Sequence, residues 1–507
     1  MEEEHNKEEP KHEHKETFLT KTLNVIKNPF NIGFIIIFIT AIVLRLRYIL
    51  IDSIWVDESV YMWWGKLIGD NPLNFLRFIT EPGQGTSVYV PQAVGGFFNI
   101  FFDAFTAGRV MSFTFGILGI LFIYLIGKEM KNNAVGLGAA ILLTFNHLHW
   151  FLTDRALADV PLTTMFTIAL YTLIIYEKKR NIKWLVIFAL ATILTVFTKL
   201  SGVVILPIIV LYYLITFLLK FDKSKLISLL KNKLLYLAVV VVVILFYPFR
   251  MSAWFTLTHF KFENTFFKML PSIVGWNAII LSLIGVAFVL LYRNKESIAV
   301  LLWGGIFLFM ISVVSAGAYP RYILPVAPAL YLLATLALVE IGDYIKIFLK
   351  FKYIHWVMIA VIFFIALPYY KQGDLLNQDR GLTYGGYKEA GEWLKENVPE
   401  DATIYVGSQG PMRLFSGYEY IAYGGPLAPS NLLSEEDLAS LANTTETIFL
   451  HTDIWEYGQP RWIYPMAPEK LQYLMSLGFQ PVHVIAGPVM TQQGVQNIQT
   501  HFIFRKN

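Results

Sequence analysis

The chain of 507 residues contains no cysteine. Disulfides and thiolate metal sites are therefore excluded, and packing alone must stabilise any part exposed to water. Charge is also scarce: 15% of residues are charged and 55% are hydrophobic, whereas a soluble protein carries about 25% charged residues. The net charge of +4 is small and implies no nucleic-acid partner. Residues 1–16 (MEEEHNKEEPKHEHKE) mix charges without an apolar core, so they read as neither a signal peptide nor a span. They fit a disordered cytoplasmic tail, with metal binding by His5, His12 and His14 as the sharper alternative. No internal repeat is evident, and the C-terminal part has no Gly-rich phosphate loop.

What is present is long apolar sequence, unevenly spread. Runs such as 34–44, 184–197 and 235–247 carry almost no charge, whereas residues 371–507 look like ordinary soluble sequence. A span needs about 20 apolar residues, and candidates start near residues 33, 109, 134, 160, 183, 203, 234, 272, 297, 322 and 354. The expectation is a polytopic α-helical membrane protein of about eleven transmembrane helices, with an α/β domain outside the bilayer at its C-terminus. It divides into a tail at 1–30, a membrane domain at 31–370 and the C-terminal domain at 371–507.

Residues 88–106 decide the parity. They are apolar, but Pro91, Gln92, Gly95, Gly96 and Asp103 interrupt them. If this segment lies on the outer surface, the basic clusters at 128–131, 178–183, 220–233, 293–295 and 346–352 all fall on one side, which the positive-inside rule makes cytoplasmic. The N-terminus is then cytoplasmic as well, and loops 52–108 and 152–160 share the outer face with the C-terminal domain. In that domain Tyr387–Val398 has helical periodicity, and Thr403–Val406, Thr447–Leu450 and Val482–Ile485 are β-prone. The sequon Asn443-Thr444-Thr445 falls on the side where glycosylation occurs.

The first outer loop opens with Trp55-Val56-Asp57-Glu58, an acidic pair set among aromatics at a membrane boundary, where ionisable groups are costly and tend to mark function. The second reads Asp154-Arg155-Ala156-Leu157-Ala158-Asp159, so its acids reach the same face; an ion pair from Arg155 to Asp154 or Asp159 would be its structural explanation. Arg45, Arg47, Arg109, Lys199 and Arg321 stand at outer ends of separate spans, where the same rule disfavours them. Snorkelling would account for any one of them, and a phosphate at membrane depth for the set, since arginine offers a planar fork and lysine a point charge. Acids to activate a hydroxyl and cations to hold a phosphate suit transfer from a lipid-phosphate carrier.

With Asp57-Glu58, Arg155-x-x-x-Asp159 and Arg321-Tyr322-Ile323-Leu324-Pro325-x-x-Pro328, the chain resembles the protein O-mannosyltransferase and lipid A aminoarabinose transferase group of C-type membrane glycosyltransferases. The layout agrees over roughly residues 1–370, with the specific content in those three motifs. The resemblance implies inverting transfer of a hexosyl or pentosyl group from a polyprenyl- or dolichyl-phosphate carrier to a protein, lipid or glycan acceptor on the outer face of the cell membrane. It implies Asp57 as base, Glu58 and Asp159 shaping or polarising the acceptor and sugar site, and Lys199 and Arg321 holding the donor phosphate. Tyr322 and Arg45 are grouped with that phosphate site, and Asp154 and Arg155 with the structure of the second loop.

The C-terminal α/β domain does not resemble the β-trefoil insert of the eukaryotic protein O-mannosyltransferases, which counts against a Ser/Thr protein acceptor, and Asp154 and Asp159, five apart, do not form the Asp-x-Asp of the oligosaccharyltransferases. No cofactor is firmly implied, and a divalent metal is compatible with the pattern without being required by it. His147 and His149 alternate like metal ligands, but positions i and i+2 of a helix point to different sides. Two other readings stand beside the transferase: a transporter or flippase of a lipid-linked anion, which would need charged or broken-helix features at the bilayer midplane, and a metal-dependent enzyme like the oligosaccharyltransferases.

Overall fold

The computed structural model describes residues 28–76, 89–219, 264–314, 319–399, 402–406, 409–417, 421–422, 439–440, 442–455 and 468–506. Helix α1 (Pro29–Leu46) leads to α2 (Val56–Asp70), α3 (Tyr89–Asn99) and α4 (Ala104–Met130). Helices α5 (Asn133–Phe145) and α6 (His147–Thr153) form one broken unit bent by 65°, followed by α7 (Asp159–Lys179) and α8 (Ile182–Thr198). A 3-10 turn, Leu200–Val204, opens α9 (Ile205–Leu218). A second broken unit, α10 (Thr265–Val274) and α11 (Trp276–Tyr292), bends by 105°. Then come α12 (Lys295–Val314), a 3-10 segment (Pro320–Val326), α13 (Ala327–Leu349) and α14 (Ile354–Arg380).

Among the described residues seven segments are long and apolar enough to cross a membrane, or nine if each broken unit counts as one, with Ile182–Thr198 a shorter apolar helix. The span expected near residue 234 and the basic cluster at 220–233 lie outside the described residues, as does nearly all of the N-terminal tail. Burial sorts the helices: 89% of the Pro320–Leu349 window is inside the protein and only 17% of α1. Ile35, Ile36, Ile39 and Val43 of α1 are accordingly exposed, an apolar surface suited to lipid.

Residues 88–106 do not form a span. Helix α3 has 11 residues, about half of what a crossing needs. Asp103 then starts α4 by accepting hydrogen bonds from the N–H groups of Phe105 and Thr106. The residues that interrupt the apolar run are its packing face: Pro91, Gln92, Gly95 and Gly96 are buried, and a Cβ on Gly96 would come within 2.9 Å of the Gly65 carbonyl oxygen on α2.

Asn146 holds the two broken units together. Sitting between α5 and α6, it accepts from the N–H of His149 at 2.7 Å. Its amide donates to the carbonyl of Ile273 at the end of α10 and to the hydroxyl of Tyr331 on α13, both at 2.7 Å. Buried backbone groups freed by a helix break need such partners. At the other break Gly275 has φ +89°, and a Cβ there would lie 1.8 Å from the Tyr369 hydroxyl, so only glycine fits.

The C-terminal part contains α15 (Tyr387–Asn397), β1 (Thr403–Val406), α16 (Gln409–Ser416), β2 (Ile421–Ala422), β3 (Ile448–Asp453), α17 (Pro468–Ser476), β4 (Gln480–Thr491) and β5 (Gly494–Lys506). The sheet order is β2-β1-β3-β5-β4, with β1 parallel to β2 and β3, and β5 antiparallel to β3 and β4. The expected helix and three strands are present as α15, β1, β3 and β4, and β2, β5, α16 and α17 are additions. This domain is joined to the bundle by more than a linker. Helix α14 runs past residue 370 to Arg380, and one hydrophobic cluster contains Ile54, Met62 and Ala156 together with Leu394, Val406 and Ile503.

Candidate active site

Four of the residues singled out in the sequence meet at one place, each at a helix start or break. Asp57 is in the first turn of α2, and Asp159 is the first residue of α7. Lys199 is an extended residue between α8 and the following 3-10 turn, and Arg321 lies in the 3-10 segment before α13. Arg321 donates to Asp57 Oδ2 at 2.8 Å, and its Nε lies 4.0 Å from Asp159 Oδ2. Lys199 Nζ donates to Asp159 Oδ1 at 2.6 Å and stands 4.4 Å from the centre of the Tyr322 ring. Asp159 is thus a buried carboxylate between two cations, while the Asp57 side chain keeps 43% of its surface exposed. Lys199 and Arg321 retain 22% and 19%, so the group is open on one side. The plus ends of α2 and α7 also point here, which favours anions.

Beside this open group lies a closed one. The Glu58 side chain is wholly buried. Its Oε1 accepts from Arg155 at 2.7 Å and from the Trp55 N–H at 3.2 Å, while its Oε2 faces Arg109 at 3.0 Å and the Ala156 N–H at 3.0 Å. Burial alone would raise this carboxyl, but the charges of Arg109, Arg155 and Arg380 with the Ala156 N–H outweigh it and hold it below the usual carboxylate range. Arg155 therefore pairs with Glu58, in place of the partner expected within its own loop. Arg109 also donates to the carbonyl oxygens of Ser53 and Asp154, and Arg380 to those of Asp154 and Tyr48. The Asp154 carboxylate is fully buried, with no hydrogen-bond partner on either oxygen among the described residues. Burial pushes it up to about 7, against the pull of Arg380, Arg45, Arg109 and Arg155. Trp55 links the two groups, its ring carrying the Arg155 guanidinium at 4.0 Å and that of Arg321 at 6.0 Å.

Two sequence expectations need correction. Arg45 does not join the phosphate site. It is fully buried and donates to the carbonyls of Ala41 and Thr144, and it meets the His149 ring at 3.0 Å. It answers a helix break inside the bundle. Glu58 does not line the open group either, because Arg155 and the Trp55 and Ala156 N–H groups bond its two oxygens and Arg109 pairs with it as an ion. Arg380 lies in sequence that reads as soluble, and only the continuation of α14 beyond its apolar part brings it to the cage. Among the described residues one cluster has metal-ligand chemistry, His451, Asp453 and His501, all buried in the C-terminal domain.

The bundle, with the loop helices α2 and α3 and the fused C-terminal sheet, has the fold seen in ArnT and AglB. Residues 88–254 match the family model described as dolichyl-phosphate-mannose-protein mannosyltransferase. Among solved structures the chain is similar to ArnT from Cupriavidus metallidurans in the apo state, at 14% identity and a TM-score of 0.61 over 93% of this chain and 98% of that one. The same protein bound to undecaprenyl phosphate superposes at TM-score 0.61 with 12% identity over the same shares. The archaeal oligosaccharyltransferase AglB from Archaeoglobus fulgidus, in complex with an inhibitory peptide and a dolichol-phosphate, matches at TM-score 0.57 and 14% identity over 83% of this chain and 69% of that one. No curated protein matches in sequence.

Proposed function

We propose that the chain transfers a sugar from a polyprenyl- or dolichyl-phosphate carrier to an acceptor hydroxyl or amine, with inversion, at the membrane face bearing the two acidic loops. The observation that carries this reading is the convergence of Lys199 and Arg321, from separate elements, on Asp159 and Asp57. Asp57, the more exposed acid, takes the acceptor proton. The acceptor attacks the anomeric carbon, the bond to the phosphate oxygen breaks, and the lipid phosphate leaves with the electron pair. Lys199 and Arg321 take up that charge, a stabilisation that counts because it grows in the transition state. Asp159 keeps the two cations side by side, and Tyr322 flanks Lys199. The relatives solved with undecaprenyl phosphate and with a dolichol-phosphate support a lipid-phosphate donor.

In this reading the N-terminus is cytoplasmic and the site and C-terminal domain are extracytoplasmic. The donor sugar is a hexose or pentose, and the acceptor a protein, lipid or glycan. Positive charge at the site comes from side chains, which weighs against the metal-dependent alternative. Two broken-helix units are present, but the paired ionisable groups sit at helix ends, Lys131, Lys178 and Glu129 at one end and Asp57, Asp159, Lys199 and Arg321 at the other, which weighs against a transport path. Asp57→Asn keeps the size of the side chain and its bond to Arg321. Transfer from a polyprenyl-phosphate sugar in membranes should fall by about 10²–10⁴-fold, with donor binding retained. Full activity would overturn Asp57 as the base.

A further inference from the structure

The C-terminal domain carries a second constellation that the transfer chemistry does not use. Strands β3 and β5 are antiparallel, with Asp453 directly opposite His501. His451 stands two residues before Asp453, and alternate residues of a strand share a face. One rung and its diagonal neighbour therefore bring two imidazoles and a carboxylate together, and a ligand atom from each lies within 4.8 Å of the others. All three side chains are buried.

The hydrogen bonds around the cluster set its donor atoms. His501 Nε2 lies 2.8 Å from the carbonyl oxygen of Gly385, which only accepts, so Nε2 carries the proton and Nδ1 the lone pair. That Nδ1 accepts from His451 Nε2 at 3.1 Å, a bond that an ion between the two nitrogens would replace, with the His451 proton moving to its own Nδ1. Two ligands on one tetrahedral ion at about 2.0–2.1 Å would stand about 3.3 Å apart. Asp453 Oδ1 accepts from the Tyr387 hydroxyl at 3.1 Å and the Trp455 N–H at 2.7 Å. A carbonyl on the far nitrogen of a histidine and donors on a carboxylate are the supports that orient metal ligands. We propose that His451, Asp453 and His501 bind a divalent transition ion of the zinc type, for which two nitrogens and one oxygen are a suitable set.

The site would act on the joint between the domain and the bundle. Gly385 and Gly386 connect α14 to α15, and Gly386, at φ +93°, packs so closely that a Cβ would lie 2.5 Å from the His501 ring. Trp455 Nε1 donates to the same Gly385 carbonyl at 3.2 Å, and the neighbouring Tyr384 carbonyl accepts from the Ile54 N–H at 3.1 Å. An ion here would fix the linker against the loop that carries Asp57.

Full-length protein without an affinity tag, stripped with chelator and desalted, should take up one tightly held Zn²⁺ per chain, read by mass spectrometry and by competition with a fluorescent chelator. Cobalt in its place should give the visible absorption of a four-coordinate site. Asp453→Asn keeps the shape and the acceptor for Tyr387, and should weaken Zn²⁺ by at least tenfold while leaving the metal-free unfolding midpoint unchanged. Replacing His5, His12 and His14 of the tail by glutamine should leave the tight site intact. Retention of no tight zinc by the wild-type chain would overturn the site, whatever the variants do. So would loss of the tight ion in the tail variant, or unweakened binding in Asp453→Asn.

Discussion

Glu58→Gln separates a structural from a chemical role for the second acid of the pair. The carboxylate accepts from Arg155 and the Trp55 N–H on one oxygen and from the Ala156 N–H on the other, which also forms an ion pair with Arg109. An amide keeps a single acceptor oxygen, so either orientation turns its NH₂ towards two donors. One lost bond is to an arginine, costing about 1.5–3 kcal/mol, and one is to a backbone N–H, costing about 0.5–1.5 kcal/mol. The arginines also lose a buried counter-charge, and breaking a buried pair costs about 3–5 kcal/mol in all. Thermal unfolding of the purified protein in detergent should show a clear fall in midpoint. Below that temperature, transfer per folded molecule should persist, because Asp57, Lys199 and Arg321 pair independently of Glu58. An unchanged midpoint with abolished transfer would refute the reasoning and put Glu58 on the substrate.

Arg321→Lys keeps the charge but loses the fork, and should raise the donor concentration for half-maximal rate by about tenfold, roughly 1.4 kcal/mol; an unchanged value would remove Arg321 from the phosphate. Asp159→Asn should release Lys199, with Arg321 still held by Asp57, and lower donor affinity, with the loss shrinking in a Lys199→Gln background if Asp159 and Lys199 act as a pair. Asp154 contributes a pH dependence of its own. Its folded value of about 7 stands above the unfolded value of about 3.9, so between them the folded state holds more protons and stability falls as pH rises. Asp154→Asn should flatten that fall between about pH 4 and 7, seen as unfolding midpoint against pH; a slope parallel to wild type would count against it.

The parts of this molecule legible in sequence were those where a local pattern carries the information. Apolar length marks the helices, and charges misplaced against the positive-inside rule mark Lys199 and Arg321. Turn-forming residues within 88–106 marked a segment that does not cross, although their packing against α2 was not foreseeable. Partner choice was less accessible. Asp57 and Glu58 are adjacent, yet on a helix neighbours point in different directions, one to the open group and the other into a buried cage. Arg45 and Arg321 look alike at span ends, and only the helix break at Asn146 draws the first inward. Arg380 was hidden because α14 continues beyond its apolar part. His451 and His501 meet only through the pairing of β3 with β5, a long-range register that no short window contains.

The arginine cage also sets a timetable for synthesis. Arg380 reaches the Asp154 carbonyl across 226 residues of chain. At about 5–20 residues per second this is on the order of ten seconds or more of translation. For that interval Arg109, Arg155 and Glu58 must wait as an incomplete ionic cluster in a half-inserted bundle. A stalled or truncated nascent chain ending before Arg380 would leave the cage unsealed, presenting membrane quality control with a defect deep inside the protein.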